Sequence, residues 1–532
     1  MQEMNQRPYP QQPYGCIPPV EPPVRKMPYF GTNRNGIVFA LILLCLCIFC
    51  ANSFIYVPHP GLGASSFTVV IFFTLAVFLC RQKKAVTFYG VFACFAYLAF
   101  AVSFSVTGSN VFFVVNALFV LSGVIYMEFM QLRRREGFRS IGDLCYTLFV
   151  LTFGRIHYAV YALFHSQTPD GIIRKRKTSG VFLGIVIAVP FLIIIIPLLI
   201  LSDAAFENLL SGITISTVIE IVVSVFFGIL VFTLLFGRAL CAPHNEPKMI
   251  DRQNGNGIDP VIVVTFLSMI SAIYVVYLVS QLAYFFNAFA GLLPKGYSVA
   301  EYARRGFFEM TVICAINLLI VFLANLLCRK NNEKTPGAVQ ILSLFLCVFS
   351  LILAATVLSK IGLYIHSFGM TRMRILTSLF TILLIVVFIS VAIRLFRKNV
   401  PYMKIALVAA SVLLLLATYA DTDRLVVSYN IHAYQNGTLS SIDMKTIEEL
   451  HSHTVVPYVF ELIDDENSEV SKEAKDILSE HADRIFRITA SETPAIVERW
   501  NTDWRAWNYT ENEAAKLLER EFYSYYTSRE YR

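Results

Sequence analysis

Between Gly36 and Tyr419 the chain carries a succession of long apolar runs, each about the 20 residues needed to cross a hydrocarbon core. No other feature restricts the fold so strongly. Lipid offers no partner for backbone N–H and C=O groups, so each run must close its own hydrogen bonds as a helix. The spans fall at 36–57, 64–80, 85–106, 111–131, 180–202, 214–238, 259–282, 306–328, 337–359, 375–396 and 401–420, which makes eleven crossings. Hydrophobic residues make up 56% of the chain and charged residues 15%, outside the range of an ordinary soluble globule. The expected fold class is all-α: a polytopic transmembrane helical bundle at 36–420 with a C-terminal soluble helical domain at 421–532.

Residues 1–35 are rich in Pro, Gln and Tyr and poor in aliphatic groups, which reads as a disordered cytoplasmic N-terminus. The stretch 141–165 is interrupted by Asp143, Arg155, His157 and His165 and flanked by the basic clusters Arg133-Arg134-Arg135 and Arg174-Lys175-Arg176-Lys177. With both flanks basic, it is expected to be interfacial or re-entrant. If the N-terminus and every second loop are assigned to the cytoplasm, those segments hold 25 Lys and Arg against 6 on the other side, Arg155 set aside. That bias is a positive-inside signal, and with eleven crossings it predicts an extracytoplasmic tail. The basic groups are spread over short loops and form no patch for nucleic acid, so membrane lipids are the expected partner.

The tail is acidic, with 22 Asp and Glu against 12 Lys and Arg; its net −10 leaves +17 for residues 1–420 out of a total of +7. Three- and four-residue apolar spacing predicts helices over Ser441–Ile463, Ser471–Ile488 and Thr493–Tyr526. Trp500, Trp504 and Trp507, the chain's three tryptophans, recur at i, i+4, i+7 and are expected on one helical face. That face reads either as a core stripe or as an aromatic surface for a sugar, a peptide or the bilayer interface. All eleven cysteines precede the tail and lie mostly in spans, where a thiol packs as a small apolar group.

Ionisable groups are costly in hydrocarbon, so Glu220 and Glu309 are candidate intramembrane sites, together with Asn317, which could also join helices. A cationic and polar outer mouth is suggested by Tyr302, Arg304, Arg305, His366, Arg372 and Arg374. Arg372 and Arg374 stand just before one span, and Asp421 and Asp423 just after another. Ion pairing among these four is expected to close the bundle and fix the tail's first turn. No phosphate-binding glycine loop, zincin helix or serine elbow is present, and His451 and His453 are badly spaced for a shared metal. No metal or other cofactor is called for.

Tyr297-Ser298-Val299-Ala300-Glu301-Tyr302-Ala303-Arg304-Arg305-Gly306-Phe307-Phe308-Glu309, Phe368-Gly369-Met370-Thr371-Arg372-Met373-Arg374-Ile375-Leu376-Thr377 and Ala420-Asp421-Thr422-Asp423-Arg424-Leu425-Val426-Val427-Ser428-Tyr429-Asn430-Ile431 follow in order. Over about 180–465 the chain resembles bacterial multi-pass membrane proteins carrying the related domains of unknown function numbered 4153 and 4173. Where that pattern often has Ala-Arg-Tyr-Asn, this chain has Val427-Ser428-Tyr429-Asn430, so no arginine role carries over. The resemblance implies an uncharacterised integral membrane protein and supplies no catalytic residue, cofactor or substrate.

These observations favour a scaffold, sensor or accessory factor in a cell-envelope process, its tail meeting an envelope protein or cell-wall partner. A small-solute or lipid-linked substrate transporter working through Glu220 and Glu309 is the alternative. A membrane-embedded transferase is a third reading, and enzyme activity has no positive signal behind it.

Overall fold

Lipid-compatible apolar runs become helices that stop where Gly, Pro or clustered charge interrupts them. The computed structural model describes residues 34–56, 61–81, 87–108, 113–131, 156–167, 173–175, 215–241, 257–289, 307–329, 336–397, 399–489, 496–499 and 503–522. Its long helices are α1 (Arg34–Ile55), α2 (Leu62–Arg81), α3 (Phe88–Val106), α4 (Phe113–Gln131), α6 (Ile215–Cys241), α7 (Pro260–Phe289), α8 (Phe307–Leu327), α9 (Gly337–Phe368), α10 (Arg372–Phe396) and α11 (Tyr402–Tyr419). Eight helices among the described residues are long and apolar enough to cross a membrane. The remaining two, α2 and α4, are 20 and 19 residues long. The protein is thus a polytopic helical bundle followed by a separate helical region with no membrane-span character. The expected span 180–202 and the N-terminal stretch 1–33 lie outside the described residues.

Between α4 and α6 stands the nine-residue helix α5 (Ile156–Phe164), too short at about 14 Å to span a bilayer alone. A small antiparallel hairpin follows it, β1 (His165–Gln167) against β2 (Ile173–Lys175). Residues 141–155 are outside the described set.

Two apolar cores organise the bundle. One gathers Leu43, Phe67, Tyr97, Phe100, Met127 and Phe236 from α1–α4 and α6. The other gathers Leu267, Val321, Leu346, Phe349, Leu353 and Phe388 from α7–α10. Helix α11 joins them: Leu407, Val408, Leu414 and Leu415 pack on the first, whereas Tyr402 and Met403 belong to the second. Polar side chains buried between helices bond across the seams. Tyr274 donates to Asn317 Oδ1 (2.7 Å), and the Asn317 amide donates to Ser350 Oγ (2.9 Å), tying α7, α8 and α9. Asn325, two turns on, donates to Ser343 Oγ at 3.0 Å. Tyr126 and Ser411 share a hydrogen bond of 3.0 Å between α4 and α11.

The 32 residues of α9 extend about 48 Å, longer than a hydrocarbon core of about 30 Å. Its C-terminal end, the start of α10 and the end of α11 lie on the face that carries the tail. Arg329, Arg394, Arg397 and Lys404 belong to the opposite ends of their helices.

In the tail, α12 (Thr422–Gln435) and α13 (Ser468–Ile485) enclose a core of Val427, Ile431, Ile447, Val456, Leu462, Ile477 and Leu478. Short helical turns fill 444–462, and α14 (Tyr509–Leu517) closes the described chain with a π turn at Leu518–Phe522. Two expectations are corrected here. Helix α13 ends at Ile485, and β3 (Phe486–Thr489) pairs antiparallel with β4 (Ile496–Arg499), Phe486 opposite Arg499. Phe-Arg-Ile-Thr alternates apolar and polar residues and Ile-Val-Glu-Arg opens on two β-branched residues, short signals that a helical window averages away. The continuous helix expected over Thr493–Tyr526 is therefore absent. Trp504 opens a 3₁₀ turn and Trp507 lies beyond it, so the two do not share a helical face; Trp500 is outside the described residues.

Candidate functional site at the tail–bundle junction

Two junctions fasten the tail to the bundle. The first is built at the turn between α9 and α10. Gly369 ends α9 at φ +76° with ψ near 180°, a region essentially closed to residues with a side chain. A Cβ there would stand 2.6 Å from Asn430 Oδ1. That close approach lets Asn430, on α12, bond both backbone groups of Met370: it accepts from the amide at 2.6 Å and donates to the carbonyl at 2.9 Å.

One residue into α10's start, Arg372 meets Asp423 through two parallel bonds, Nε to Oδ1 at 2.5 Å and Nη2 to Oδ2 at 2.8 Å. The Asp423 side chain is fully buried and that of Arg372 is 27% exposed. Fork-to-fork geometry of this kind combines charge with direction. The same guanidinium donates to the carbonyls of Glu449 and Leu450, so a single arginine holds two tail segments. Arg374 takes a different course. It donates to the carbonyls of Phe368 and Gly369, and its guanidinium lies 4.0 Å over the Tyr364 ring, stabilising the end of α9.

Asp421, likewise, makes no bond to Arg374 but caps α12, accepting from the amides of Asp423 (3.1 Å) and Arg424 (3.4 Å). It does so at φ +50°, in the left-handed region. Burial, and then the charge of Asp423, push its carboxyl up to about 6.

The second junction lies at the ends of α1, α2, α3 and α6. A turn at 503–508 supplies backbone acceptors to the unpaired amides that begin α2: Gly61 donates to the Arg505 carbonyl (3.2 Å) and Leu62 to that of Trp507 (2.9 Å). Gly61 has no room for a Cβ, which would meet the Trp507 carbonyl oxygen at 2.1 Å. Asn508 works in both directions. Its Oδ1 caps α14 at Thr510 N (2.9 Å), while its amide donates to the α3 carbonyls of Phe104 (3.1 Å) and Thr107 (2.9 Å).

Beside this turn lies Glu220, near the start of α6. It accepts from Asn52 Nδ2 at 2.7 Å, and the same amide reaches Ser224 at 3.2 Å. The other end of the Asn52 amide, Oδ1, accepts from Arg505 of the tail. Arg505 is paired with Asp503 at 2.6 Å, and the hydrogen bond from Arg505 pulls the Asp503 carboxyl down. The acid of the sixth expected span is thus linked through one asparagine to a tail arginine.

Glu309 is exposed in the first turn of α8 and His366 is exposed in the last turn of α9; Tyr302, Arg304 and Arg305 lie outside the described residues. Inside the tail, His453 and His481 approach to 3.2 Å between their Nδ1 atoms. Burial drives His481 down to about 3, with His453, Arg484 and His451 adding charge repulsion. Among the described residues no three metal-ligating side chains gather.

Asn52, Asn430, Arg505 and Asn508 were not singled out from the sequence. Asn508-Tyr509-Thr510-Glu511 carries a capping signature, and Phe368-Gly369 a helix stop. Nothing local marks Asn52, whose tail partner is 453 residues away.

Fold and junctions together define a multi-pass membrane protein with a helical region that lacks membrane-span features seated on one face. The chain belongs to the family of bacterial multi-span membrane proteins defined by DUF4153, a domain of unknown function, whose model matches residues 94–459. That match takes in the whole first junction, including Asp423, Asn430 and Leu450. Asn52, Gly61 and Arg505 of the second lie beyond its two ends. No curated protein and no solved structure matches the chain.

Proposed function

We propose that this protein is a scaffold, sensor or accessory factor of the cell envelope, with its N-terminus cytoplasmic and its tail held at the outer surface. The observation behind this reading is the double seating of the tail. One junction uses a buried bidentate ion pair, the other a turn that completes helix ends, and both present the tail in one pose. Glu220 and Asn317 support the same reading, because they spend hydrogen bonds on neighbouring helices and, through Asn52, on the tail. The outward orientation rests on the bias of 25 to 6 in Lys and Arg. A net charge of −10 disfavours broad contact of the tail with anionic lipid and leaves its surface away from the bundle to an envelope protein or a cell-wall polymer.

Two measurements test this. Cysteines placed at Glu466, on the tail, and at Arg397, on the far face, are offered an impermeant thiol reagent in intact cells. Labelling at Glu466 alone fits the orientation; labelling at Arg397 alone contradicts it. Purified protein in vesicles is then assayed for flux of anionic, neutral and lipid-linked solutes. Flux abolished by Glu220→Gln would overturn the scaffold reading in favour of a carrier.

A further inference from the structure

Helix α1 exposes Val38, Leu41, Ile42, Cys45 and Phe49 at helical spacing, forming one stripe along a membrane span. Exposed apolar residues in such a span face acyl chains. Phe49 stands six residues before the end of α1, about 9 Å down its axis. The ring of Trp504 stacks on this Phe49, with centroids 6.1 Å apart and planes 17° from parallel, yet remains 55% exposed. One turn higher on α1, the neighbouring Arg505 reaches Asn52. The tail therefore sends two adjacent side chains down the same helix, a polar one toward α6 and an aromatic one along the lipid-facing stripe. Trp507 and Tyr509, also exposed, flank the bonds to the first amides of α2 and the last carbonyls of α3, at the level where the spans end.

We propose that the 504–509 turn is a lipid-anchoring element. Its ligand is the glycerol and upper acyl region of the leaflet on the tail side, entered by the Trp504 indole. Indole suits that depth because its ring is apolar while its N–H still finds an acceptor among the ester groups. The tail thus rests on the bilayer as well as on protein, and the sequence reading of a tryptophan surface narrows to one residue at a defined depth. The proposal needs only a membrane-spanning bundle and holds whether the protein is a scaffold or a carrier.

The test uses the full chain in phosphatidylcholine vesicles, with Trp504 left as the single tryptophan by Trp500→Phe and Trp507→Phe. Lipids brominated near the top of their chains should lower the Trp504 emission by about twofold or more, and aqueous iodide should quench it weakly. A second variant, Phe49→Ala in the same background, should keep the bromine quenching, because lipid fills the vacated side of the ring. Trp504 emission that is indifferent to bromine and strongly quenched by iodide would overturn the proposal. A folded chain is verified independently by protease resistance of the tail core around Ile477.

Discussion

The junctions at Arg372 and at Arg505 hold the same tail by opposite physical means. At the first, a carboxylate with no solvent exposure is neutralised by one arginine, with Gly369 and Asn430 locking the adjacent turn. At the second, neither member of the Arg505–Asp503 pair is fully buried, and the work is spread over backbone amides, helix-end carbonyls and the Arg505 guanidinium. A buried pair fails abruptly when one partner is removed, because the other is left uncompensated. A set of capping bonds fails gradually, since each contributes about 1 kcal/mol and water can replace several of them. The abrupt contact lies wholly within the family match, whereas the gradual one ties Asn52, Gly61 and the 503–508 turn, all outside it, to α3 and α6 inside it.

The largest effect is expected from Arg372→Ala, which strands the Asp423 carboxylate and two tail carbonyls at a cost of roughly 3–5 kcal/mol. Asp423→Ala should cost less, because Arg372 retains a route to water. Thermal unfolding of the two variants should show this order, and equal losses would deny the asymmetry. Next comes Asn430→Ala, which leaves both polar groups of Met370 unpaired for about 1–3 kcal/mol. Gly369→Ala should cost at least as much, since backbone strain adds to the clash of its Cβ with Asn430 Oδ1, and denaturant midpoints check both.

Asp421 supplies a change of opposite sign. Its carboxyl is raised from 3.8 to about 6, so its contribution to stability is complete below pH 4 and is lost as pH rises through 6. Asp421→Asn keeps a capping oxygen and should stabilise the tail at pH 7–8 by roughly 1–2 kcal/mol, with no gain below pH 4. His481 behaves in the reverse sense: its pKa is depressed from 6.5 to about 3, so stability is full above 6.5 and is lost as pH falls toward 3. The smallest effect is expected for Asn508→Ala, about 1 kcal/mol, seen as faster exchange of the α14 amides. A loss as large as that of Arg372→Ala would erase the distinction between the two junctions.

Much of the architecture was legible in the residues, because an apolar run long enough for lipid has one stable outcome. The junctions were legible only in part. Arg372 and Asp423 announced themselves as charges beside helix ends, but their pattern alone gave no reason for Arg374 to turn back to the end of α9 and Asp421 to cap α12 instead. Asn52 and Asn508 act on backbone groups, and any asparagine can do that; what selects them is three-dimensional proximity. The tryptophan spacing misled because such a spacing has helical meaning only if the intervening backbone is helical, whereas Trp504 opens a 3₁₀ turn that ends before Trp507.

Hydrogen exchange across the full chain with and without Arg372→Ala tests the central claim, that the tail is locked to the bundle through its first helix, most directly. The account predicts that the Thr422–Gln435 amides lose about a hundredfold or more of their protection while those of Ser468–Ile485 change little. Unchanged protection in Thr422–Gln435 would contradict it.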